Sequence, residues 1–71
     1  MTMHEAERLN QVLIAMRDQY LATFQAREGA RLEVRQAARE VASTAQEAWA
    51  AGRLCEAVNG FAEALLVLRQ V

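Results

Sequence analysis

Ala45-Gln46-Glu47-Ala48-Trp49-Ala50-Ala51-Gly52-Arg53-Leu54-Cys55-Glu56-Ala57-Val58-Asn59-Gly60-Phe61-Ala62-Glu63-Ala64-Leu65 is the stretch whose reading decides the fold. Ala45, Ala48 and Trp49 share one face of a helical period that runs into Gly52; beyond it Leu54, Val58, Phe61 and Leu65 resume at spacings of four, three and four. A glycine just past a helical run favours a tight turn, and a new apolar period starting two residues later means that the chain folds back. The stretch predicts the end of one helix, a turn, and a second apolar helix, hence an all-α protein.

Composition agrees with that reading. There is no proline, glycine occurs three times, alanine fifteen times, and Leu, Glu, Gln and Arg are abundant, which is the make-up of a helix former. The 71 residues allow one small domain, 1–71. A core of that size rarely supplies more than about 3–5 kcal/mol without a staple. With one cysteine, Cys55, and one histidine, His4, neither an internal disulfide nor a structural zinc site is available, so the missing stability points to association with another chain. The net charge of −1 gives no global field toward nucleic acid or an anionic membrane. No apolar run approaches the roughly 20 residues needed to cross a bilayer, and the acidic start lacks the features of a signal peptide. Cytoplasmic localisation is the expectation.

Working outward, Leu9, Leu13, Met16, Tyr20 and Phe24 mark one face of a first helix at about 5–27, widened by Val12. Ile14 and Leu21 form a second, narrower line further round. So wide an apolar arc needs cover on two sides, one from the chain itself and one from a partner. The middle segment, about 30–51, has a seam of Val34, Ala38, Val41, Ala45, Ala48 and Trp49, mostly small, with Glu33, Arg35, Gln36, Glu40, Ser43 and Glu47 on the solvated side. The last segment, about 53–70, is the most hydrophobic: Leu54, Val58, Phe61, Leu65 and Leu68 form its stripe and Cys55, Ala62 and Leu66 a flank. Gly60 in its interior removes bulk and allows a close helix crossing.

Gly29 is the open junction. Glycine inside a helix costs about 1 kcal/mol relative to alanine, and no Ser, Thr, Asp or Asn follows to cap a new helix. Two architectures fit: three helices, or one long kinked helix followed by a short returning one. Compactness favours three, because an unbroken helix from Glu5 to Ala51 would extend about 70 Å.

Val41, Ala45, Ala48, Trp49, Gly52, Leu54, Glu56, Ala57, Val58, Phe61, Ala64 and Leu65 are spaced like a single tetratricopeptide (TPR) repeat, a resemblance covering residues 41–68. The closing proline is missing and Val41 stands where a large aromatic is common. Such repeats need stacked neighbours, so one repeat implies an incomplete surface. Over the whole chain, Arg8-Leu9 opening an amphipathic helix, an Arg/Gln-rich middle, Leu54-Cys55-Glu56-Ala57-Val58 and Ala64-Leu65-Leu66-Val67-Leu68 resemble the small helical-hairpin co-chaperones of type III secretion needle subunits. That resemblance implies a cytoplasmic protein that pairs with a TPR chaperone and keeps a needle subunit soluble.

Catalytic chemistry is not legible. His4-Glu5-Ala6-Glu7-Arg8 begins like a zinc-protease helix but has arginine where the second histidine is required, and Cys55 has no neighbouring base. A semi-buried structural role suits Cys55 better. Arg27, Arg31, Arg35 and Arg39, each four apart, form a continuous ridge if their segment is helical: an anion-facing surface for an acidic partner helix, or a solvated face balanced by Glu neighbours.

The sequence thus predicts a three-helix or hairpin bundle that acts by protein–protein contact, with no enzyme activity, cofactor, metal, small-molecule substrate, nucleic acid or membrane. The leading expectation is an adaptor or co-chaperone whose core a partner completes, through Leu13, Ile14, Tyr20, Leu21, Phe61, Leu65 and Leu66. The alternative is a self-associating homo-oligomeric bundle with a structural or regulatory role.

Overall fold

The computed structural model describes residues 2–69. They form three helices and no strand: α1 (Met3–Ala26), α2 (Leu32–Ala50) and α3 (Leu54–Arg69). Position 70 of the third expected helix lies outside the described residues. The break at residues 27–31 settles the open junction in favour of three helices over one kinked helix. It is not glycine chemistry that makes it, since Gly29 does not take the left-handed conformation and a Cβ there would meet nothing. Arg27 closes α1 through its amide to the Thr23 carbonyl, and Arg31 opens α2 without any side-chain cap. With the local signals this weak, packing of α2 onto α3 decides where the chain bends.

The other helix ends carry stronger local signals. Thr2 caps α1, its Oγ1 accepting from the Glu5 amide at 3.2 Å, which starts the helix earlier than the apolar period alone suggests. At the second turn Gly52 has φ +82°, the Arg53 amide donates to the Ala48 carbonyl at 2.8 Å, and the Gly52 amide donates to that of Trp49 at 3.0 Å. This pair of bonds is the Schellman closure, which needs a left-handed residue at the glycine position.

The core consists of Leu13 and Tyr20 from α1, Ala38, Ala42, Ala45 and Ala48 from α2, and Leu54, Ala57, Phe61, Ala64, Leu65 and Leu68 from α3. Half of these twelve residues are alanine, so the area removed from water is small for the number of positions used. The alanines nevertheless set the geometry. An added Cβ on Gly60 would stand 2.6 Å from the Ala45 Cβ and 3.2 Å from its Cα, so α2 and α3 cross at nearly backbone contact. α1 packs on α3 through Leu13, Tyr20 and the partly buried Leu9, Met16 and Phe24. α3 packs closely against both neighbours, while α1 and α2 meet through side chains.

Gly60→Ala tests this crossing. Helix propensity alone would raise stability by about 1 kcal/mol, but overpacking against Ala45 should lower it by about 1–3 kcal/mol in chemical denaturation. An Ala45→Gly background should recover part of the loss as a coupling energy; a Gly60→Ala variant more stable than the parent would refute the close approach. At the turns, Gly52→Ala should destabilise by about 1 kcal/mol or more, and Gly29→Ala should be neutral or slightly stabilising in the same measurement.

Candidate protein-binding surface

The seven residues expected at a partner surface separate into two groups. Leu13, Tyr20, Phe61 and Leu65 are buried among the chain's own helices, their apolar stripes covered internally. Ile14, Leu21 and Leu66 stay exposed, at 44%, 49% and 60%. Leu32, 67% exposed, and Val12, 45% exposed, join them. Leu32 was hidden from sequence reasoning because it sits off the alanine seam, at the mouth of a turn whose position was open.

Arg27, Arg31, Arg35 and Arg39 do not form a continuous ridge. Arg27 caps the end of α1 and Arg31 the start of α2, so only Arg35 and Arg39 share a helix. Both turn toward α1 rather than to solvent: the Arg35 guanidinium lies 4.2 Å from the centre of the Phe24 ring and that of Arg39 5.5 Å from it. Arg35 is half-buried, which corrects its placement on the solvated side. Its Nη1 donates to the Glu28 carbonyl at 3.2 Å, and its Nε is buried without a partner among the described residues. Ala42, absent from the expected seam, is buried beside it.

At the other end of the same seam the Trp49 indole Nε1 donates to Asn10 Oδ1 at 2.8 Å, and the Arg17 guanidinium lies 5.5 Å from the Trp49 ring. Between these two ties α1 and α2 stay apart. The gap is a groove of about 370 Å³ bounded by Arg17 and Leu21 on α1, Arg39, Ser43 and Gln46 on α2, and Tyr20, Ala42 and Phe61 beneath. Arg39 also lines a separate depression at Phe24 and Leu32, and Arg17 and Gln46 line one at Trp49 and Ala50. An aromatic chain lies below it: Phe24 to Tyr20 at 5.8 Å, Tyr20 to Phe61 at 6.4 Å, and Phe61 edge-on to Trp49 at 6.2 Å.

Leu66 belongs to a different surface, about 140° around α3 from Phe61. Cys55 is exposed rather than semi-buried, because the closure at Gly52 turns it away from both neighbouring helices. Among the described residues no group of three or more His, Cys, Asp or Glu side chains could hold a metal ion, and no helix is long and apolar enough to cross a membrane. Comparison with family models, with characterised proteins and with solved structures gives no match.

Tyr20 reports on the burial beneath this groove. Desolvation pushes its phenol above the ordinary value of 10.0, opposed in part by the positive charges of Arg39 and Arg35. The folded state therefore favours the neutral phenol, and that contribution to stability is intact below pH 10 and lost as pH rises through the raised value. Since Tyr20 is the one tyrosine, phenolate absorbance should titrate later in the folded chain than in urea. Tyr20→Phe should remove this component of the alkaline stability loss; coincident folded and unfolded titrations would contradict the burial.

Proposed function

We propose that this chain is a non-enzymatic protein-binding adaptor, of the co-chaperone kind, whose docking surface is the groove between α1 and α2. The observation that carries the reading is the separation of those two helices: each is held by α3, and the seam between them leaves Leu21 and Leu32 exposed above an aromatic layer. A helix laid in the groove would complete a four-helix arrangement and cover apolar surface that a core half made of alanine leaves open. The likeness of α2 and α3 to a lone TPR repeat supports the same idea of an unfinished surface. In its finer form, following the whole-chain resemblance, the protein pairs with a TPR chaperone in the cytoplasm and helps to keep a type III secretion needle subunit soluble.

Affinity purification of the tagged chain from its native host, paired with sedimentation of the purified chain, tests the adaptor reading. A stoichiometric partner should accompany the parent and Leu66→Glu, and should be lost with Leu21→Glu, whose melting temperature should stay within about 4 °C of the parent. A cooperatively melting homodimer with no accompanying protein, unaffected by Leu21→Glu, would replace the adaptor with a self-associating bundle.

A further inference from the structure

The charges around the groove are sorted by sign. Arg17, Arg35 and Arg39 line the groove and the two depressions that flank it, and no Asp or Glu side chain among the described residues does. On the other side of α2, the depression shared with α3 is lined by Glu56 and Glu63, with Arg53 held to Glu56 at 2.8 Å. A chain of net charge −1 thus presents one apolar groove whose only ionic side chains are cationic.

The bland account of these arginines is that they cover aromatic rings, and their guanidinium carbons do lie 4.2 to 5.5 Å from the centres of the Phe24 and Trp49 rings. Stacking uses the face of a guanidinium and leaves its N–H edge free for a carboxylate. Arg39 has no ion pair or hydrogen bond among the described residues, and Arg17 makes one long contact, 3.5 Å, to its exposed neighbour Asp18. Held near aromatic rings, these side chains can offer N–H donors to a carboxylate. The groove and its two flanking depressions are spread along α2 from Leu32 to Ala50, about 28 Å at 1.5 Å per residue, the length of a helix of about 18 residues.

We propose that the groove receives an acidic amphipathic helix of a partner protein, its apolar stripe against Leu21, Leu32 and the layer over Phe61, and its carboxylates on the edges of Arg17 and Arg39. The inference rests on the groove being the docking surface and adds the chemistry of what docks there.

Two synthetic 18-residue amphipathic helices with the same leucine stripe, one flanked by Glu and one by Lys, are titrated into the purified full chain. Trp49 emission gives the affinity and amide shifts give the site. The Glu-flanked peptide should bind at least about tenfold tighter at low salt, an advantage shrinking between about 0.05 and 0.5 M NaCl, with shifts at Leu21, Arg39, Gln46 and Trp49. Arg39→Glu should reverse the preference; Arg39→Gln, which keeps the exposed site uncharged, should reduce it, and Leu66→Glu should leave it intact. Equal binding of both peptides in the groove would overturn the acidic occupant while leaving the groove as a docking surface. Shifts centred on Leu66, or binding of neither peptide, would overturn both. A homodimer broken by Leu21→Glu would make a second copy the occupant and overturn the proposal.

Discussion

The near-contact of Gly60 with Ala45 is the constraint on which the other packing depends. Replacing a side chain by hydrogen at residue 60 lets α2 and α3 meet backbone to backbone, and the alanines at 38, 42, 45, 48, 57 and 64 fill the space that such a crossing leaves. The large side chains of α3 are then directed elsewhere. Phe61, Leu65 and Leu68 are buried in one core with Leu13 and Tyr20, and the Phe61 ring meets both Tyr20 of α1 and Trp49 of α2. One helix thereby does the work of a core, and its two neighbours have little left to say to each other.

From that asymmetry comes the groove. Where two helices are each bound to a third but not to one another, a valley remains between them, and its walls can be closed only by long side chains reaching across. Arg35 and Arg39 reach toward Phe24, Arg17 toward Trp49, and the Trp49 indole toward Asn10. Arginine suits this position because its aliphatic stem packs and its guanidinium lies flat on a ring while remaining charged. The same side chains that shield the aromatic layer therefore give the valley its positive character.

Much of this was legible in the chain before its structure. The apolar period of each segment, the small residues around Ala45 and the turn at Gly52 define the α2–α3 pair, because each signal there is local and all of them agree. The junction near Gly29 was not legible: neither a cap nor a left-handed glycine marks it, so only the tertiary gain of packing α2 on α3 fixes it. The exposed apolar residues were half legible for a related reason. Periodicity shows that Leu13, Tyr20, Phe61 and Leu65 must be covered but not by what, and with three helices they cover one another. Arg35 and Arg39 show the same limit from the polar side, since a charged residue that lies over a ring in another helix looks, in one dimension, like any solvated arginine.

The central claim is that α3 holds α2 tightly and α1 separately, so that α1 and α2 touch chiefly through a few long side chains. Native-state amide hydrogen exchange on the isolated chain measures that hierarchy residue by residue. The strongest protection should fall on α2 around Ala45 and on α3 around Phe61, both exchanging through global unfolding, with α1 opening at a lower free energy while α2 and α3 remain closed. Equal protection in all three helices would mean that α1 is bound by α2 as firmly as by α3, and the open groove between them would not stand.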